Sequence, residues 1–80
     1  MSINSVPMNE ADLATLHSAL RHLGALGKHP ADALSRMTGR AVVVRTIGRA
    51  AAGEPVARAT VRVLVAACCE VLAGEVLRAA

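Results

Sequence analysis

The sequence predicts an all-α protein, a small compact bundle of three to four helices with a long C-terminal helix. The hydrophobic share is 54% and includes no aromatic residue, whereas strands depend on aromatic and β-branched side chains. The segment from Pro55 to Ala80 is apolar around most of its circumference and fits one long helix. A chain of 80 residues has room for one domain and one core.

The first helix has signals at both of its ends. Asn9 suits the N-cap, and Asp12 lies in the first turn, where negative charge is favourable. Gly24 and Gly27 are candidate stops. Between these ends, leucines recur at the spacing of one helical face: Leu13, Leu16, Leu20 and Leu23.

The segment ahead of this helix, residues 1–8, is expected to be a flexible N-terminal arm. Residues 9–80 are then a single helical domain. Its second helix is expected to start at Pro30, since proline suits the first helical position. In that helix Leu34 and Met37 are expected to face the core.

Residues 40–52 leave two alternatives open. Val43, Val44 and Ile47 share a helical face with two alanines, which favours a helix. However, three consecutive valines also suit a strand over residues 41–47. A lone strand would leave its backbone groups unpaired within the chain, so we predict a helix.

The C-terminal helix has two apolar faces of different size. One face carries the larger side chains, namely Val61, Leu64, Val65, Cys68, Val71 and Leu72. A helix that is apolar on two sides is usually buried on both, and a chain of this length has little with which to cover the second. We therefore predict a protein interface on the small-residue side, at Ala59, Val63, Ala66, Ala67, Glu70 and Gly74.

A basic segment runs from residue 36 to residue 62. It holds six arginines against one acid, whereas the rest of the chain has a net charge of −2. Such segregation favours an anionic partner, and the sequence predicts nucleic-acid or other anion contacts at Arg36, Arg40, Arg45, Arg49, Arg58 and Arg62. The break at Gly39 between two short helices loosely resembles a helix-turn-helix.

Other functional classes have no support in the sequence. Without aromatic residues the chain has no platform on which to stack unpaired bases. No nucleophile–base pair, paired carboxylates or glycine-rich phosphate loop can be assembled, so we expect no catalysis and no cofactor or small-molecule substrate. The three histidines do not share a helical face, and no metal site is expected.

The expected location is the cytoplasm of a bacterial cell. Cys68 and Cys69 are adjacent, so they cannot bridge each other within a helix, and the chain has no other cysteine. A membrane span is not expected, because the apolar stretch between Arg62 and Glu70 is shorter than the roughly 20 residues that a bilayer requires.

The sequence thus predicts a non-enzymatic interaction protein, a small regulator, adaptor or inhibitor that acts through helix packing as a homodimer. Its partner is expected to be another protein or a second copy of the chain. The alternative is a nucleic-acid-binding regulator that uses the arginines of residues 36–62.

Overall fold

The fold is the predicted all-α bundle with a long C-terminal helix. In the computed structural model the backbone is described for residues 5–79 and the side chains for residues 5–74. In chain order, the elements of this part are β1 (Ser5–Val6), α1 (Glu10–Ala25), α2 (Pro30–Met37), α3 (Val44–Ala51), β2 (Val56–Ala57) and α4 (Arg58–Ala79).

Local signals set the ends of the shorter helices. The side-chain oxygen of Asn9 accepts a hydrogen bond of 2.8 Å from the Asp12 N–H, which caps α1 as predicted. After α1 the chain turns at Gly27, whose φ is 79°, and the Lys28 N–H donates to the Leu23 carbonyl at 3.2 Å. This left-handed turn satisfies carbonyl groups that the end of the helix leaves free.

The core lies between α4 and the three shorter helices. All four helices supply its largest fully buried side chains, which are Leu16, Leu34, Ile47, Leu64 and Cys68. The predicted face of larger side chains on α4 belongs to this core. Leu64, Cys68 and Val71 are buried, and Val61, Val65 and Leu72 are partly buried against them.

Residues 40–52 are helical only from Val44 onward, and the two valines of the predicted apolar face do not lie in the core. Val43 and Val44 are 55% and 45% exposed, whereas Val42 is buried. The predicted apolar face requires a helix that starts near residue 40. Val43 instead has extended backbone angles and precedes the first turn of α3.

The backbone of the connection between α2 and α3 explains why Val42, rather than Val43 or Val44, faces the core. Gly39 and Arg40 have φ values of 67° and 65°, and two successive left-handed residues cannot continue a helix. The buried Ser35 hydroxyl then donates to the Val42 carbonyl at 2.7 Å. That bond holds Val42 against the core and leaves the next two valines outside.

The expectation of a flexible arm does not hold over residues 5–8. Ser5 and Val6 pair antiparallel with Ala57 and Val56, and Met8 is 6% exposed within the core. This pairing joins segments about 50 residues apart, so no local pattern could predict it. Residues 1–4 of the expected arm lie outside the described residues.

The same strand pair shortens the C-terminal helix. The sequence predicts a helix from Pro55, but β2 keeps residues 56–57 extended and α4 begins at Arg58.

In α2, Leu34 is buried as expected, whereas Met37 at the end of the helix is 41% exposed. Among the described residues, no helix combines the length and apolar character that a membrane span requires.

Candidate protein interface on the C-terminal helix

The side of α4 that faces away from the core forms a continuous exposed surface. We call it the outer face of α4. Its residues recur at intervals of three and four, which places them along one side of a helix. All of them are exposed: Ala59, Arg62, Val63, Ala66, Cys69, Glu70 and Ala73.

Most of the predicted interface residues lie on this outer face or next to it. Ala59, Val63, Ala66 and Glu70 are exposed members of it, and Gly74 is partly exposed. The three helices that precede α4 in the chain therefore leave this side of it uncovered.

Ala67 is an exception among the predicted interface residues. It is 5% exposed and packs in the core of its own chain. Successive helical residues point about 100° apart, so Ala67 turns toward the core where Ala66 turns away from it. It is not part of the outer face.

Three residues of the outer face were absent from the predicted interface: Arg62, which was predicted as an anion contact, Cys69 and Ala73. The signal was present, because Ala59, Ala66 and Ala73 recur every seven residues. Seven residues make nearly two full helical turns, so these alanines form a straight row along the helix. Alanine side chains allow a second helix to approach closely.

The outer face also carries charge of both signs. Arg62 and Glu70 are exposed, and among residues 5–74 neither forms an ion pair. Two acids elsewhere do have arginine partners, Asp32 with Arg36 at 3.1 Å and Glu54 with Arg49 at 3.6 Å. The two outer-face charges are therefore available to a partner.

The adjacent cysteines lie in different environments. Cys68 is fully buried, and burial raises the pKa of its thiol to about 11, with a further contribution from the neighbouring Cys69. Cys69 is exposed on the outer face, and both thiols are free. Because only the thiolate is an effective nucleophile, the Cys68 thiol is inert at neutral pH.

The predicted anion-binding arginines are all on the surface. Arg36 and Arg49 have the carboxylate partners described above, and both ion pairs are more than 40% exposed, so they contribute little to stability. In the described part of the chain, no ion pair forms at the other four residues, Arg40, Arg45, Arg58 and Arg62.

The likeness to a helix-turn-helix is not supported by the connection between α2 and α3. That connection covers residues 38–43, whereas the motif joins its helices by a turn of three to four residues. The arginines on it and on α3 therefore form a basic surface without that motif's geometry.

One further polar contact has a structural role. The Nε2–H of His17 donates to the Ala51 carbonyl at 2.8 Å, which connects α1 to the end of α3.

A shallow depression of about 510 Å³ between α1 and α2 is lined by Lys28, His29 and the Asp32–Arg36 pair. Within the described residues, no three His, Cys, Asp or Glu side chains are grouped as metal ligands.

Comparisons with protein families, with curated proteins and with solved structures find no match to this chain. The function is therefore inferred from the residues and their arrangement.

Proposed function

We propose that the protein is a non-enzymatic interaction module, a small regulator, adaptor or inhibitor that acts through helix packing as a homodimer. The observation that supports this proposal is the outer face of α4. It keeps Ala59, Val63, Ala66 and Ala73 exposed along one side of the helix whose other side forms the core.

A second helix is the partner that fits this surface best. Solvated helices normally place charged or polar residues opposite their core face, but here that side is mostly alanine and valine. Small side chains let two helix axes approach to the lower end of the usual 8–10 Å. Covering the row would remove apolar area from water at about 25 cal/mol per Å².

The test is the oligomeric state as a function of concentration, measured by sedimentation velocity from about 5 to 500 μM. A wide range is needed because a single helix–helix contact buries less area than a standard interface. We expect a reversible dimer that Ala66→Arg disrupts by placing a charged side chain in the contact. The matched control is Ala14→Arg, which makes the same change at an exposed position of α1. A folded wild-type chain that stays monomeric throughout would refute the homodimer.

The second candidate function is nucleic-acid binding, favoured by Arg40, Arg45, Arg58 and Arg62, which are exposed and form no ion pair within the described residues. Arginines of this kind suit phosphate contacts, which supply affinity without reading sequence. Titration of duplex DNA at several salt concentrations separates the two functions, since phosphate contacts weaken steeply with salt. Under this alternative, Arg45→Glu abolishes binding but leaves the oligomeric state unchanged.

A further inference from the structure

The charges of the outer face are arranged symmetrically about Ala66. Arg62 lies four residues before it and Glu70 four residues after it, while Ala59 and Ala73 lie seven residues to either side. At 3.6 residues per turn, the two charges point about 40° to opposite sides of Ala66 and the two alanines about 20°. If the helix is turned end over end about Ala66, the same positions along it are occupied again, but Arg62 and Glu70 exchange places.

We propose that a second copy of the chain docks antiparallel on α4, crossing at Ala66, with each Arg62 paired to the partner subunit's Glu70. This arrangement rests on the proposed homodimer and specifies its geometry. A twofold axis through the contact, perpendicular to both helices, places Arg62 at the same level along the helix axis as the partner's Glu70. The same axis repeats the pair at the other end of the contact, as an isologous interface requires.

The charges exclude the parallel alternative. In a parallel dimer in register, Arg62 faces the partner's Arg62 and Glu70 faces the partner's Glu70, and like charges across a contact are unfavourable. The antiparallel dimer converts both contacts into attractive pairs. It also aligns the helix dipoles favourably, because each N-terminal end lies beside a C-terminal end.

The row of alanines sets the distance between the two α4 helices, and therefore the distance that Arg62 and Glu70 must span. With alanine on the axis, the helices approach closely, and the long side chains of Arg62 and Glu70 extend across the seam. The outer face measures about 21 Å from Ala59 to Ala73 at 1.5 Å per residue. This is a narrow contact, so the dissociation constant is expected in the micromolar range or weaker.

Charge reversal tests the pairing by sedimentation velocity. Arg62→Glu and Glu70→Arg are each expected to weaken the dimer at least about tenfold, since each variant replaces both attractive contacts by repulsive ones. Combined in one chain, they restore the opposite charges, and the affinity is expected to return to within about threefold of wild type. An equimolar mixture of the two single variants should form a heterodimer. Arg45→Glu, with the same change of charge on α3, should leave the affinity unchanged.

The outcomes distinguish the geometry from the function. If the wild-type chain dimerises and the single reversals leave its affinity unchanged, the antiparallel pairing is refuted while the homodimer stands. If the double variant stays as weak as the single ones, the pairing is again refuted. If the folded wild-type chain is monomeric at 500 μM, the proposed function fails and the pairing fails with it.

Disulfide cross-linking in a Cys69→Ala background provides a second, independent measurement. Chains with Ala66→Cys are expected to cross-link to each other, because Ala66 lies on the twofold axis. Chains with Ala59→Cys should cross-link mainly to chains with Ala73→Cys, since these positions face each other only in the antiparallel dimer. Cross-linking of Ala59→Cys chains with one another at the same rate as in that mixture would overturn the antiparallel geometry.

Discussion

At the scale of single residues, the cysteine pair shows how one helical step changes the chemistry of a side chain. Cys68 lies on the core side of α4 and Cys69 on the outer face. Burial disfavours the thiolate, which raises the pKa of Cys68 to about 11. The position of the thiol, rather than its type, therefore decides its reactivity and how its protonation is linked to folding.

This linkage predicts that stability falls in alkaline solution. Between pH 9 and about 11, the unfolded chain loses the Cys68 proton while the folded chain keeps it, so the free energy of unfolding decreases as the pH rises. The stabilising effect is fully present below pH 9 and is lost as the pH passes through the folded pKa. We expect a loss of roughly 1–3 kcal/mol from this group.

Urea unfolding of wild type and Cys68→Ala at intervals from pH 8 to pH 11 isolates the effect of Cys68. Only wild type carries the buried Cys68 thiol, so the difference in free energy of unfolding between wild type and Cys68→Ala should narrow as the pH rises. Cys69→Ala is the control, because it keeps the buried Cys68 thiol, and its free energy of unfolding should still decrease as the pH rises. A constant difference between wild type and Cys68→Ala would contradict the link between burial and protonation.

At the scale of secondary-structure elements, α4 performs two tasks with opposite sides. Val71 is 7% exposed on the core side, whereas Val63 is 36% exposed on the outer face. The first stabilises the fold of one chain, and the second is available for association. The two valines allow the same chemical change to be made on both sides of one helix.

We predict that Val71→Ala and Val63→Ala have different effects. Val71→Ala should lower the free energy of unfolding by roughly 1–3 kcal/mol, because it removes buried methyl groups and leaves a cavity. Val63→Ala should change it by less than about 0.5 kcal/mol. Denaturant unfolding at about 2 μM keeps association from contributing to either value. Equal losses would show that the outer face is covered within one chain.

The elements that could be predicted from sequence are those with local causes. The cap at Asn9 and the glycine turn after α1 depend on residues within one helical turn, and both follow the predicted pattern. The inward valine of the α2–α3 connection could not be predicted, because it depends on a left-handed Arg40 and on a hydrogen bond from Ser35. On α4 the heptad spacing was visible in the sequence, but which alanine faces the core depends on packing. Ala67 was therefore placed incorrectly.

At the scale of the whole molecule, the N-terminal segment closes the fold. β1 pairs with β2, just ahead of α4, and Met8 enters the core from the same segment. The contact joins residues far apart in sequence, so its formation requires closing a long loop and costs chain entropy. A buried methionine can offset that cost, whereas a flexible arm would contribute nothing.

Two methionines test whether the N-terminal segment closes the fold, because each has the opposite exposure to the one that the sequence predicts. Met8 belongs to the expected flexible arm yet is 6% exposed, while Met37 was expected to face inward yet is 41% exposed. Met8→Ala should therefore cost roughly 2–4 kcal/mol, within the range for truncating a buried large side chain, and Met37→Ala less than about 1 kcal/mol. Thermal and urea unfolding measure both, and Met8→Leu, which conserves volume, should recover most of the loss. If Met37→Ala proved the more damaging change, the N-terminal segment would not close the fold, and α4 would be held by the three shorter helices alone.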